Sequence, residues 1–258
     1  MIRRAQPALG TYVEIGIADV DDPCHPALDH AFQAIREIES LMSFHRRDSE
    51  LSLLNANPGQ WRTLHRHTFR VLTLARALGL RSGERFNVTV GGSLVKRGLL
   101  PALHAHDFLE RGVADDIELQ DRRVRWRRPV LVTLDGIAKG YAVDRAIFAL
   151  KSCGVGNAWV NAGGDLRAIG TARLDLSIRG TRGGERLKVE NMAVATSQSG
   201  RRANAHFPSL LVGAQRRAQT LTVAARYAWR ADALTKIAAC ANASQRAQIL
   251  AQFKGRML

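Results

Sequence analysis

Asp232 and Thr235 lie three residues apart in ADALTKIA, residues 231–238, where a helix begins. That spacing puts both on one helix face, and both offer the hard oxygen atoms that Mg²⁺ takes. An aspartate in a first turn also complements the helix dipole without any metal. Lys236 follows Asp232 by four residues, so its ammonium can reach the same carboxylate. A second set occupies VTLDGIAKGYAVDRA, residues 132–146. Gly136, Lys139 and Gly140 stand at the mouth of a predicted helix. There the first-turn N–H groups can face an anion, with Lys139 as an added charged donor. The competing reading is a plain strand–helix turn with Lys139 in solvent. A Walker A loop is excluded, because GxxxxGK[ST] is absent.

Two further glycine pairs follow strand-like runs. NAGGDLRAIG at 161–170 places Gly163, Gly164 and Asp165 after AWVN. It reads either as a backbone closing on a ligand or ion, or as a tight hairpin. RFNVTVGG at 85–92 is a β-branched run that stops at Gly91-Gly92. No GxSxG, HExxH, CxxC or GxGxxG stands anywhere in the chain. His25, His30, His65, His67, His104 and His106 lie in polar contexts and read as surface residues.

These residues need elements to hold them. GTYVEIGI at 10–17 alternates as a half-buried strand, and residues 27–42 carry an apolar stripe at helical spacing. A second helix is expected over 68–79, with Gly79 as its C-cap. Strands are expected near 123–126, 130–134, 157–161, 166–169, 174–179, 191–196 and 219–226, and helices over 137–152 and 231–252. Strands joined by short turns, mixed irregularly with helices, predict an α+β fold with largely antiparallel sheets and packed helices. The 258 residues suffice for one domain over 1–258, or for two intimately packed subdomains.

The net charge of +15 suits an anionic partner. The arginines are scattered or paired, with no long basic run interleaved with aromatics, so nucleic-acid binding ranks last. No stretch approaches the length of a transmembrane segment. Cys24, Cys153 and Cys240 have neither the number nor the spacing of a zinc site or a disulfide framework. No structural metal and no essential disulfide are expected. The first residues lack an apolar signal region, and a cytoplasmic location is expected of the chain as written.

Several motifs in order resemble one family: LGTYVEI with MSFHRRDSELSLLN, then FNVTVGG, LDGIAKGYAVD with VNAGGDLRAIG, and AVATSQSG followed by ADALTK. Together they are similar to the ApbE-type FAD:protein FMN transferases, over about residues 7–240. The resemblance implies an α+β fold related to the T-fold. It implies FAD as substrate, Mg²⁺, release of AMP, and a target flavoprotein whose threonine or serine receives FMN. It further implies catalytic roles for Asp232 and Lys139. The cofactor contacts it implies are His45, Asn87, Thr89, Thr133, Gly136, Lys139, Gly163, Gly164, Asp165 and His206. Its metal region falls on Gly136, Ala162, Asp232 and Thr235.

The departures from the family pattern are specific. Asn87 and Thr133 replace acids, and His45 stands where many members have tyrosine. Lys236 occupies the position of a threonine or serine four residues after the aspartate, with Thr235 one residue early. His206 is what remains of a longer segment. A weakened Mg²⁺ site is therefore expected. Two readings stand at this point, a transferase and a divergent homologue that holds FAD without transferring FMN. Typical members are exported lipoproteins, in contrast to the location expected above. The FAD pocket is expected to be bounded by Asn87, Thr133, Lys139 and the 161–165 turn.

Overall fold

The computed structural model describes residues 1–18, 22, 25–104, 106–177, 186–199 and 219–258. Along the chain run β1 (Ile2–Ala8), β2 (Thr11–Ile17), α1 (Pro26–Met42), α2 (Glu50–Ala56), β3 (Arg62–Thr63), α3 (Arg66–Ser82) and α4 (Gly91–Lys96). They are followed by β4 (Ile117–Gln120), β5 (Arg123–Trp126), α5 (Ala138–Ser152), β6 (Ala158–Ala162), β7 (Asp165–Ile169), β8 (Arg173–Ser177) and β9 (Arg186–Glu190). The last are β10 (Ala193–Ser199), β11 (Gln219–Ala225), α6 (Ala228–Cys240), α7 (Arg246–Gln252) and β12 (Gly255–Met257). The chain divides into two compact units, one formed by Met1–Glu37 with Lys139–Leu258 and one by Ile38–Ala138.

In the first unit seven of the described strands form an antiparallel sheet in the order β1-β2-β6-β7-β10-β11-β12, and β8 and β9 pair antiparallel in a sheet of their own. Strand alternation sends Val13, Ile15, Val160 and Ala162 to one face. There they pack with Leu28, Phe32 and Ile35 of α1 and with Val143, Ile147 and Leu150 of α5. Trp159, between Ala158 and Val160, takes the opposite face with Leu166, Ala168, Val189 and Val194. This is the α+β, largely antiparallel arrangement that the sequence predicts.

In Ile38–Ala138 a small antiparallel sheet, β3-β5-β4, accompanies α2, α3 and α4. Two predicted strands here are not strands. Residues 130–134 are extended, yet their backbone groups find scattered partners. Gly91 N–H donates to Leu131 O (2.9 Å) and Thr133 N–H to Val88 O (2.9 Å). The buried Asn55 side chain brackets Val132, accepting from its N–H (2.9 Å) and donating to its carbonyl (2.9 Å). Residues 85–90 form a loop because the Asn87 side chain competes with any ladder. Its Oδ1 accepts from both the N–H and the hydroxyl of Thr89, each at 2.7 Å. Gly91-Gly92 then opens α4 rather than closing a strand.

Two helix boundaries also differ from expectation. α3 continues past Gly79 and ends at Gly83, whose φ of 60° is the left-handed cap. The predicted helix over 231–252 is two helices, α6 and α7, and α6 starts earlier, at Ala228. His67, expected at the surface, is buried in α3, while His65 caps that helix by accepting from the His67 N–H (3.4 Å). Cys153 and Cys240 are not in a disulfide. Cys24 and His206 lie outside the described residues.

Candidate functional site

In the first unit α5 and α6 meet by their N-terminal turns, and each helix supplies an aspartate to the other. The Asp144 carboxylate of α5 accepts from Ala228 N–H (3.1 Å, Oδ1) and Trp229 N–H (2.9 Å, Oδ2), the first N–H groups of α6. The Asp232 carboxylate of α6 accepts from Gly140 N–H (3.1 Å, Oδ2) in the first turn of α5. Helix-start N–H groups need acceptors and carry partial positive charge, so both carboxylates satisfy donors and complement dipoles. The approach is close enough to require glycine at 140. A Cβ there would lie 2.4 Å from Ala228 O and 2.6 Å from Ala228 C, both backbone atoms. The N–H of Gly140 therefore serves an internal anion rather than an open ligand site, a correction to its predicted role.

Around Asp232 lies a charged and polar group drawn from two strands and two helices. Asp232 is fully buried, and its Oδ1 is paired with Lys236 one turn on. Lys236 Nζ also donates to Ser197 Oγ of β10 (3.3 Å). The Thr235 hydroxyl donates to the Asp232 backbone carbonyl (2.7 Å) and meets Ser197 Oγ at 2.7 Å. Asp165, at the start of β7, is 2% exposed, and its Oδ2 pairs with Lys139 Nζ at 3.2 Å. Burial, and next the Asp232 carboxylate, push the Asp165 carboxyl up to about 6, against the pull of Lys139 and Lys236.

That displacement has a signed consequence for stability. The folded chain retains the Asp165 proton between its ordinary value of 3.8 and about 6, where the unfolded chain has lost it. The resulting stability is fully present below about pH 4 and is lost as pH rises through about 6, a change of about 3 kcal/mol. Asp165→Asn is expected to lack this component. Urea unfolding of both proteins at several pH values checks it; parallel stability curves from pH 4 to 7 would refute it.

Gly163 and Gly164 have φ of 59° and 104°, as the two central residues of a β6–β7 hairpin turn require. Asn161 Oδ1 accepts from Gly164 N–H (3.1 Å) and holds the turn. The hairpin reading thus accounts for both glycines. Ala162 is buried in β6, opposite Val13 on one side and Asp165 on the other.

In Ile38–Ala138 the other expected residues divide by role. Asn87 uses its whole amide in the loop, donating to Gly112 O (2.9 Å) as well as accepting from Thr89. An aspartate could accept from Thr89 but could not donate to Gly112, which rationalises the amide at this position. Thr133 Oγ donates to the exposed Asp135 Oδ2 (2.9 Å), with Gly136 next in the turn. His45 is exposed after the buried Phe44, and its N–H donates to Ser43 Oγ (3.2 Å).

Three residues of consequence escaped the sequence reading. Asp144 sits inside GYAVD but owes its role to a contact 84 residues away. Ser197 belongs to AVATSQSG, where nothing local marks its hydroxyl. Asn55 accepts from both Val132 N–H and Trp126 Nε1 (3.0 Å), and carries no local signal at all.

The ApbE family model matches residues 9–257. The FAD:protein FMN transferase of Klebsiella pneumoniae (strain 342) is 28% identical over 158 residues, 54% of this chain and 48% of its own length. The FAD:protein FMN transferase of Treponema pallidum (strain Nichols) is 26% identical over 191 residues, 65% of this chain and 51% of its own. The chain thus spans about half the length of the curated relatives it matches. Among solved structures, the ApbE protein of Thermotoga maritima superposes with a TM-score of 0.81 at 23% identity, over 99% of this chain and 93% of that one. The flavin transferase ApbE of Vibrio cholerae gives 0.76 at 22% identity, over 96% and 89%. At these identities the structural likeness is one of fold.

Proposed function

The chain belongs to the ApbE family, and on that premise we propose that it transfers FMN from FAD to the hydroxyl of a threonine or serine in a target flavoprotein. In that reaction the acceptor oxygen forms a new bond to the FMN phosphorus. The pyrophosphate P–O bond breaks, AMP leaves with the bonding electrons, and the acceptor hydroxyl gives up its proton. Little covalent work falls to the protein, so positioning and charge stabilisation carry the catalysis. The observation that supports this reading most is the pair of lysines, Lys139 and Lys236, held on Asp165 and Asp232 beside the first turn of α5. Both lysines sit on buried carboxylates, so their ammonium groups are fixed in place for an incoming pyrophosphate. Thr133, Gly136 and the loop of Asn87 and Thr89 are the proposed cofactor contacts within Ile38–Ala138. His45 and, outside the described residues, His206 complete the set.

Phosphoryl transfer commonly draws on Mg²⁺, which neutralises charge on the phosphates. The donor set around Asp232 does not fit that ion. The two Asp232 oxygens are engaged by Lys236 and by Gly140 N–H, and the Thr235 hydroxyl oxygen, its own proton given to a backbone carbonyl, accepts from Ser197.

Incubation with FAD and a candidate flavoprotein domain tests the proposal, read as protein mass and released AMP. A flavin adduct with equimolar AMP supports it. FAD bound but unchanged supports instead the homologue that holds FAD without transfer, a reading favoured by the occupied Asp232. Lys139→Ala is expected to weaken FAD binding by about 1–3 kcal/mol through loss of a charge-assisted contact. An unchanged dissociation constant would remove Lys139 from the site.

A further inference from the structure

We propose that Lys236 is a tethered cation that takes the place of a divalent metal in this unit, so that the site receives an anionic ligand without metal. Asp165 and Asp232 are 2% and 0% exposed, and buried carboxylates need compensating charge. Each already has an ammonium partner, Lys139 on Asp165 and Lys236 on Asp232. The two carboxylates and the two ammonium groups balance in formal charge.

The geometry around Lys236 is also built rather than incidental. Its side chain is 18% exposed, and it bridges the buried Asp232 to Ser197 on a neighbouring strand. Because Thr235 donates to the Asp232 carbonyl, the Ser197 hydroxyl donates to Thr235 and turns a lone pair to Lys236. Donors and acceptors thus form a closed chain: ammonium to serine, serine to threonine, threonine to carbonyl. A Mg²⁺ ion would need near-octahedral oxygen ligands at about 2.0–2.1 Å. Here it would have to displace the ammonium or lie beside it at strongly repulsive range. The residual positive end of Lys236, with Lys139, then meets the phosphate charge of the ligand.

The identity of that anion as a pyrophosphate rests on the FMN-transfer reading, whereas the exclusion of metal does not. The experiment therefore has two arms on the full chain. In the first, Mn²⁺ binding is followed by paramagnetic resonance without FAD, with Asp232→Asn marking any ion bound elsewhere. Wild type is expected to show no Asp232-dependent Mn²⁺ binding, and Lys236→Thr to gain at least about tenfold in affinity. In the second, FAD affinity of wild type is expected to be the same in EDTA as in Mg²⁺, and to fall about tenfold in Lys236→Met without rescue by Mg²⁺. Asp232-dependent Mn²⁺ binding to wild type overturns the proposal and needs no variant to fold. So does loss of FAD from wild type on adding EDTA. If no protein binds FAD, the transfer reading fails while the Mn²⁺ arm still decides this one. Where Lys236→Thr melts early, Mn²⁺ raising its melting temperature but not that of wild type counts as the gain.

Discussion

Asp144→Ala is expected to destabilise the protein by about 3–5 kcal/mol, the range for breaking a buried charge pair. The carboxylate is 9% exposed and makes three bonds. Arg167 Nη1 donates to it at 2.5 Å, and Ala228 and Trp229 supply the N–H groups that open α6. Removing it leaves a guanidinium, 15% exposed, without its carboxylate. It also strips the cap from a helix whose N-cap residue, Tyr227, offers no side-chain hydrogen bond of its own. A lost cap alone costs about 0.5–2 kcal/mol. Arg167 additionally stacks over Tyr227, 4.7 Å from the ring centroid, so its displacement would disturb that aromatic too. Asp144→Asn keeps an acceptor and loses the charge, and should fall between wild type and alanine. Chemical unfolding followed by circular dichroism measures this; a cost under about 1 kcal/mol for Asp144→Ala would mean that α6 does not depend on its distant cap.

Gly140→Val should cost about 3 kcal/mol or more, the upper end of overpacking penalties. The atoms it would strike are Ala228 O and C and, at 2.8 Å, Trp229 Cα, none of which can rotate away. The helices must part, which lengthens Gly140 N–H to Asp232 and both Asp144 bonds to α6 at once. Gly140→Ala meets the same contacts with one carbon, offset by about 1 kcal/mol of better helix propensity. It should be intermediate. FAD affinity is expected to fall with stability, because Lys139 and Lys236 ride on the two displaced helices. Equal melting temperatures for wild type and Gly140→Ala would show that the helices tolerate a methyl group between them.

Much of the architecture was legible along the chain because its signals are local. The alternation of Val13, Ile15 and Ile17, the stripe from Leu28 to Ile35, and the turn at Gly163-Gly164 depend on neighbours a few residues away. The period of burial is written directly into such segments. Asp232, Lys236 and Thr235 were recognisable as one group for the same reason, since helical spacing alone brings them together.

Most of what failed to show was decided by partners far off in sequence. Residues 130–134 have strand composition, but Asn55 and Val88 took the hydrogen bonds a sheet would have used. α6 begins at Ala228 rather than near residue 231 because Asp144 supplies acceptors there. Gly140 looks like a phosphate-loop glycine, yet the anion before its N–H is Asp232, 92 residues on. Hydrophobic periodicity specifies which face of an element is buried. It carries no information on which polar group will meet an orphan N–H across the core, because that depends on the positions of several elements at once. The helices and strands of this protein were thus set by short-range pattern, while the pairing of Lys139 with Asp165 and of Lys236 with Ser197 arose only when tertiary packing buried the carboxylates and left them needing charge.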